Sequence, residues 1–187
     1  MALWSTPIKT VIDVILKAFS QAVPNEIPAG NNAQYGRGMI RGRTPGSKYF
    51  WENGGNTLGG WGGHYGGDGQ SALQTTTHGD CRRVPIEVEE NEGPSLVRRF
   101  ELVPDSGGAG KWRGGLSTRM EVVAPMDCDA FLTFDRAKFP PWGLFGAKDG
   151  MAGYGEIEVP GKPVERVNKA YKAIPKGTLV RAVNNGG

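Results

Sequence analysis

Cysteine and histidine are both scarce, with two of each in 187 residues. Cys81 and Cys128 stand apart, without the C-x-x-C pairing that a structural zinc site draws on. Free thiols in a reducing, cytoplasmic setting are the expectation, and no metal site is expected. Long apolar runs are missing as well. The apolar residues between Ile8 and Phe19 are interrupted by Lys9, Asp13 and Lys17, and Met1 to Trp4 carry no basic leader. Neither a secretory signal nor a membrane span is read from that pattern. Charge of one sign is gathered nowhere. The net charge is +3 with acidic and basic residues interspersed, which leaves no footprint for nucleic acid. No repeat of fixed period occurs.

What is abundant is glycine: 30 residues, with 13 prolines. That is more than twice the usual glycine level of about 7%. Yet 38% of the chain is hydrophobic, with five Trp and seven Phe, which excludes a low-complexity linker. The composition points to a mainly β, loop-rich α+β piece spanning 1–187, with long glycine-rich loops and one N-terminal amphipathic helix. The helix is expected over 7–21, with Thr6 as N-cap and Pro7 in the first turn. Ile8, Val11, Ile12, Ile15, Leu16 and Phe19 form one apolar stripe at helical spacing, opposite Lys9, Asp13, Lys17 and Gln21. Such a stripe needs a surface to cover it. Residues 23–46 carry turn chemistry. A β and loop body over 47–183 then offers strands at 48–52, 96–103, 116–123, 130–134, 156–159 and 178–183, with a further candidate at 72–77. Val84 to Glu90 alternates apolar and acidic residues and reads as a half-exposed strand, confined to an edge by Pro85.

Gly54 to Gly69 is the stretch densest in glycine, and a second glycine-rich loop is Asp105-Ser106-Gly107-Gly108-Ala109-Gly110-Lys111-Trp112-Arg113-Gly114-Gly115. The second carries the more distinctive pattern. It is not a Walker loop. Asp105 stands where the first glycine should be, and Trp112 follows Gly110-Lys111 in place of Ser or Thr. A strand rather than a helix is expected after it, so there is no helix N-terminus for phosphate. Two readings remain: a backbone nest for an anion, or a tight turn in which Lys111 and Arg113 pair with carboxylates. His64, Asp68, His78 and Asp80 are the one cluster with acid–base or ligand chemistry, although their spacing lacks the i, i+4 regularity of a helical metal site. The alternative is that they hydrogen-bond loop backbone. Glu87, Glu89, Glu90 and Glu92 fit an exposed strand face, Asp135-Arg136 fits an ion pair, and Ser106 as a nucleophile lacks an adjacent base.

Several motifs occur together in order: Ala22-Val23-Pro24, Pro28-Ala29-Gly30, Gly66-Gly67-Asp68-Gly69, Pro85-Ile86-Glu87-Val88-Glu89-Glu90, Asp105 to Gly115, and Pro140-Pro141-Trp142-Gly143-Leu144. In this the chain resembles the hydantoinase B / 5-oxoprolinase family, in particular its C-terminal part. The resemblance implies a component of an ATP-dependent lactam hydrolase or of a ketone carboxylase, with glycine-rich loops contributed to a shared active site. It implies three kinds of partner: the remainder of a B-type subunit as a separate chain, an A-type ATPase that uses ATP and Mg2+, and a small-molecule substrate. Within that expectation His78, Asp80 and Asp68 are the catalytic candidates. Lys111, Arg113, Ser106 and His64 are the candidates for holding substrate or an anion. Two alternatives stand beside it: a non-catalytic assembly subunit, or a stand-alone β module binding through Trp51, Trp61, Trp112 and Trp142.

Overall fold

Along residues 128–133, Cys128, Ala130 and Leu132 are buried while the residues between them are half-buried, the two-residue period of a strand with a core on one side. In the computed structural model, which describes residues 7–78 and 81–187, this strand belongs to one of two antiparallel sheets. The elements in chain order are α1 (Pro7–Phe19), β1 (Arg37–Arg43), β2 (Phe50–Asn56), a 3-10 turn (Thr76–His78), α2 (Ile86–Glu92), β3 (Leu96–Leu102), β4 (Thr118–Val123), β5 (Cys128–Thr133), β6 (Tyr154–Glu158), β7 (Glu165–Val167), β8 (Lys169–Ile174) and β9 (Leu179–Val183). One sheet runs β2-β1-β5-β8 and the other β3-β4-β9-β6-β7. Ile40, Met120, Val122, Ala130, Leu132, Ile157, Val180 and Ala182 fill the space between them. The sheets come closest at Gly38, where a β-carbon would collide with that of Ala182. Away from the core, Arg181 on β9 bridges Glu121 on β4, at 2.7 Å, and Glu156 on β6.

The strands expected near 48–52, 96–103, 116–123, 130–134, 156–159 and 178–183 are present as β2, β3, β4, β5, β6 and β9. Three more were not foreseen: β1, β7 and β8. Val84 to Glu90 is not a strand. Most of it lies in α2, entered from Pro85. Glu87 and Glu89 sit in the first turn, where negative charge complements the exposed amides of a helix start. Over so few residues, alternation and helical spacing cannot be told apart, and the proline and acids decide. The candidate strand at 72–77 reduces to one bridge, Gly59 to Leu73, followed by the 3-10 turn. Asp135 and Arg136 do not pair with each other: Asp135 pairs with Lys169 and Arg136 with Asp13. The Thr6 cap lies outside the described residues.

A second interior, polar rather than apolar, lies beneath the loops. Asn32, Gln34, Asn184 and Asn185 are all but fully buried. Gln34 Nε2 donates to Asn184 Oδ1, Asn184 Nδ2 to Thr57 O at 2.6 Å, and Asn185 Nδ2 to Asn32 O at 3.1 Å. Gln34 Oε1 accepts from the Asp135 amide at 2.6 Å. Side-chain amides thus satisfy backbone that no strand pairs, as buried polar groups require.

Helix α1 packs on the body with the side that carries charge. Lys9 and Asp13 are 1% exposed, whereas Ile8, Val11, Val14, Ile15 and Phe19 are 49–58% exposed. The Asp13 carboxylate explains the orientation. Its Oδ2 accepts from Arg136 Nη1 at 2.6 Å and Trp142 Nε1 at 2.7 Å, and its Oδ1 from the Asn31 side chain at 3.1 Å and the Asn31 amide at 3.3 Å. Arg136 also donates to the carbonyls of Asn31 and Pro140. Replacing the carboxylate by an amide removes the counter-charge of a buried guanidinium and sets an NH2 against one of the two pairs of donors. Asp13→Asn is therefore expected to lower stability by about 3 kcal/mol in urea unfolding, and Ile15→Ser by less. The opposite ranking would show that the apolar stripe faces the body.

Candidate functional site

The segment after α1 is stitched to two loops. The Ala29 amide donates to Gly63 O at 2.9 Å and the Gly30 amide to Trp142 O at 2.8 Å. His64 and Gly67 exchange backbone hydrogen bonds of 3.0 and 3.1 Å, closing a tight hairpin whose tip, Gly66, has φ +89°. Asp68 then clips this hairpin to the 105–115 loop: its Oδ1 accepts the Arg113 amide at 2.8 Å, and the Gly69 amide donates to Arg113 O, also at 2.8 Å. The Lys148 amide donates to Ala109 O at 2.8 Å and brings in the loop that carries Phe145. These four segments enclose a cleft of about 510 Å³.

Its wall is aromatic and basic. Tyr65 meets Trp112 edge to face with centroids 5.1 Å apart, and Lys111 Nζ lies 4.6 Å over the Trp112 ring. His64 lines the same cleft, with Nδ1 3.1 Å from Tyr65 O. A carbonyl can only accept, so in the neutral imidazole Nδ1 carries the proton and Nε2 keeps its lone pair. The cleft thus holds a cation, a proton acceptor and two π faces around an apolar floor of Ile27 and Leu144. That set suits a compact ligand with an apolar body and one anionic or strongly polar group.

Of the expected site residues, the fold brings His64 and Lys111 together. Arg113 is beside them in sequence but does not line the cleft, and its backbone is held by Asp68. Asp68 is engaged as that clip. Ser106 is fully buried, with Oγ donating to Val103 O at 2.7 Å and accepting the Ser117 amide at 2.8 Å, so it fastens the loop to β4. His78 stands in the 3-10 turn with its ring 4.7 Å from that of Tyr35, outside the cleft lining. Asp80 lies outside the described residues. The loop amides of Gly108, Arg113, Gly114 and Gly115 are bonded to Gly187 O, Asp68, Gly108 O and Trp61 O. The loop is a pinned turn between β3 and β4, and these four donors are not available to a phosphate. Three of the four tryptophans proposed for binding serve the interior as well. Trp51 packs in the core, Trp61 donates to Gln74 O, and Trp142 donates to Asp13.

Tyr65 and Asp13 were not foreseen as partners of the site, nor was Lys9. Lys9 Nζ is buried 3.7 Å over the Tyr35 ring and has no hydrogen-bond acceptor among the described residues. Burial lowers its pKa from 10.5 to about 8, against the smaller opposing pull of Asp135. The one sequence signal was the i, i+4 spacing of Lys9 and Asp13, which puts both on one helix face.

A profile of the hydantoinase B/oxoprolinase family matches residues 2–187. The chain belongs to this family. An uncharacterized protein of Methanocaldococcus jannaschii is 35% identical over 177 residues, covering 95% of this chain and 30% of its own length. The B-type subunit of a putative D-/L-hydantoinase from a Pseudomonas species is 33% identical over 144 residues, covering 76% of this chain and 24% of its own. The crystal structure of the ATP-dependent caprolactamase from Pseudomonas jessenii superposes with a TM-score of 0.84 at 27% identity, covering 98% of this chain and 33% of that one. The chain thus spans a third or less of the hydantoinase B-type relatives it matches. Among the described residues no group of three His, Cys, Asp or Glu is placed to hold a metal ion, and no helix is long and apolar enough to cross a membrane.

The lowered Lys9 pKa sets a pH dependence of stability. Between about pH 8 and pH 10.5 the unfolded chain holds a proton at Lys9 that the folded chain has released, so stability rises with pH across that window. Lys9→Met removes the cost of burying the ammonium. It is expected to add about 2 kcal/mol at pH 7 and to flatten the rise, both read from urea unfolding at pH 7 and pH 10.

Proposed function

We propose that this chain forms one wall of the substrate site of an ATP-dependent cyclic-amide hydrolase, working with further B-type sequence and an A-type ATPase subunit. The observation that carries the reading is the cleft in which His64 and Lys111 meet beside Trp112, within a chain of the hydantoinase B/oxoprolinase family. The match to an ATP-dependent caprolactamase supports a lactam or hydantoin ring as substrate class. An ammonium held over an indole at the cleft wall is a cation able to neutralise charge on an amide-derived oxygen. The apolar floor and π faces suit the methylene body of the ring. His64 Nε2 can accept the proton of an attacking water as the carbonyl carbon is hydrolysed.

ATP and Mg2+ are assigned to the A-type partner, where phosphoryl transfer would supply an activated carbonyl. The 105–115 loop offers little to that cofactor: four of its amides, those of Gly108, Arg113, Gly114 and Gly115, are bonded within the chain. Asp68, His78 and Asp80 are proposed as supporting residues, Asp68 because it fixes the loop that carries Lys111.

The test is turnover by the assembled complex. His64→Ala and Lys111→Ala are each expected to lower kcat/KM for lactam opening by about 10²-fold with assembly unchanged. Ser106→Ala should lower the melting temperature, with less effect on turnover in the folded fraction. Unchanged rates in both cleft variants would favour a purely assembly role. Product formation only with bicarbonate present would favour carboxylation over ring opening.

A further inference from the structure

Helix α1 presents an unpartnered apolar face that the structure itself holds outward. Ile8, Val11, Val14, Ile15 and Phe19 are about half exposed on one side of a four-turn helix. This is not a helix awaiting rotation. Asp13 is fixed by four hydrogen bonds, so turning the apolar side inward would take a buried carboxylate away from all four of its donors. The apolar surface continues beyond the helix. Val14 and the 74%-exposed Phe139 border one groove of about 500 Å³ between α1 and the 135–142 loop. Exposed apolar side chains gathered along one helix and an adjoining groove mark a docking face.

We infer that this face is covered by hydantoinase B-type sequence outside residues 1–187, which packs an apolar segment along α1 and seats a side chain in the groove beside Phe139. The occupant is argued from length. The caprolactamase chain aligns with 98% of this one yet only 33% of it is matched, so two thirds of that polypeptide lies outside the shared fold and is available to cover it. The groove's composition agrees. Its charged members are largely engaged within the chain: Asp13 with Arg136, Asp135 with Lys169, Asp149 with the Gly143 amide, and Lys17 over the Trp142 ring, which leaves Val14, Phe139 and Pro140 to meet an apolar partner. Pro24 and Ile27, a few residues past the helix, line the cleft of His64 and Lys111, so what covers α1 also approaches that cleft. The inference rests on the proposed B-type role and names the surface through which it is assembled.

Photo-crosslinking in the cells that make the protein tests it. A photoreactive residue is placed at position 11 or 15, with position 162, exposed in the β6–β7 turn, as control. Peptides joined to it are identified by mass spectrometry. The expected result is crosslinking from positions 11 and 15, but not 162, to B-type sequence outside residues 1–187. With the probe kept at 11 or 15, the variant I8E/F19E should lower that yield by about tenfold while leaving the melting temperature unchanged. Crosslinks to a second copy of residues 1–187, to lipid or to an unrelated protein would overturn the inference, as would none at all. Those outcomes are separate from the cleft reading, which fails only if the His64 and Lys111 variants turn over normally.

Discussion

A single carboxylate organises this chain. Asp13 on α1 draws together Asn31, Arg136 and Trp142, which belong to two segments more than a hundred residues apart. Through Asn31 it fixes the start of the segment that leads into β1. Through Trp142 it fixes the loop whose carbonyl receives the Gly30 amide. One step further, Ala29 is bonded to Gly63, and His64 begins the hairpin that forms a wall of the cleft. A buried carboxylate with every lone pair engaged tolerates little movement, because each lost bond leaves a buried donor or acceptor unpaired. The orientation of the helix, the exposure of its apolar side and the shape of the cleft therefore share one cause.

That cause was legible only in part. The apolar stripe of α1 is plain in the sequence, and so is the polar side opposite, but periodicity says nothing about which side meets the body. The usual assumption sends charge to solvent. It fails here because Asp13 has dedicated partners in Asn31, Arg136 and Trp142, brought near only by the fold, and Lys9, one turn before it on the same face, is carried inward with it. The strands were legible where β-branched and apolar residues alternate over five or more positions, as in β4, β5 and β9. β1 was not, since Arg37-Gly38-Met39-Ile40-Arg41-Gly42-Arg43 carries two glycines and three arginines. Gly38 is required there by the neighbouring sheet, a reason no single strand can reveal. β7 and β8, rich in Lys, Glu and Arg, are exposed on the sheet edges and carry little apolar signal.

The same limit governs the site. His64, Asp68, Ser106 and Lys111 are all polar residues beside glycine turns, and composition cannot rank them. Geometry does. Asp68 and Ser106 each bond a specific backbone amide and so act as fasteners, a role that short polar side chains take readily in loops. Lys111 is too long and too well hydrated to fasten a turn in this way, and it extends over Trp112 into the cleft. His64 is held by its own neighbour's carbonyl, which fixes a tautomer and leaves the second nitrogen uncommitted to that bond. The family motif marked the right region because its glycines are demanded by packing. A β-carbon at Gly60 would strike Gly115 O, and one at Gly115 would strike Gln70 O.

Those close approaches give the glycine content its meaning. Between the sheets the chain has an ordinary apolar core, and beneath the loops it has an interior of amides and bare backbone. Backbone packed on backbone contributes little hydrophobic stabilisation and depends on hydrogen bonds being completed. The loops that meet at the cleft are therefore held by direction-specific bonds. Such bonds fix the positions of His64 and Lys111 more tightly than apolar contact would, but they offer no apolar side to a neighbour. The surface able to recruit one is on α1, where the charged face is turned inward. Inverting the helix thus does two things at once: its carboxylate secures the loops, and its apolar side is left exposed.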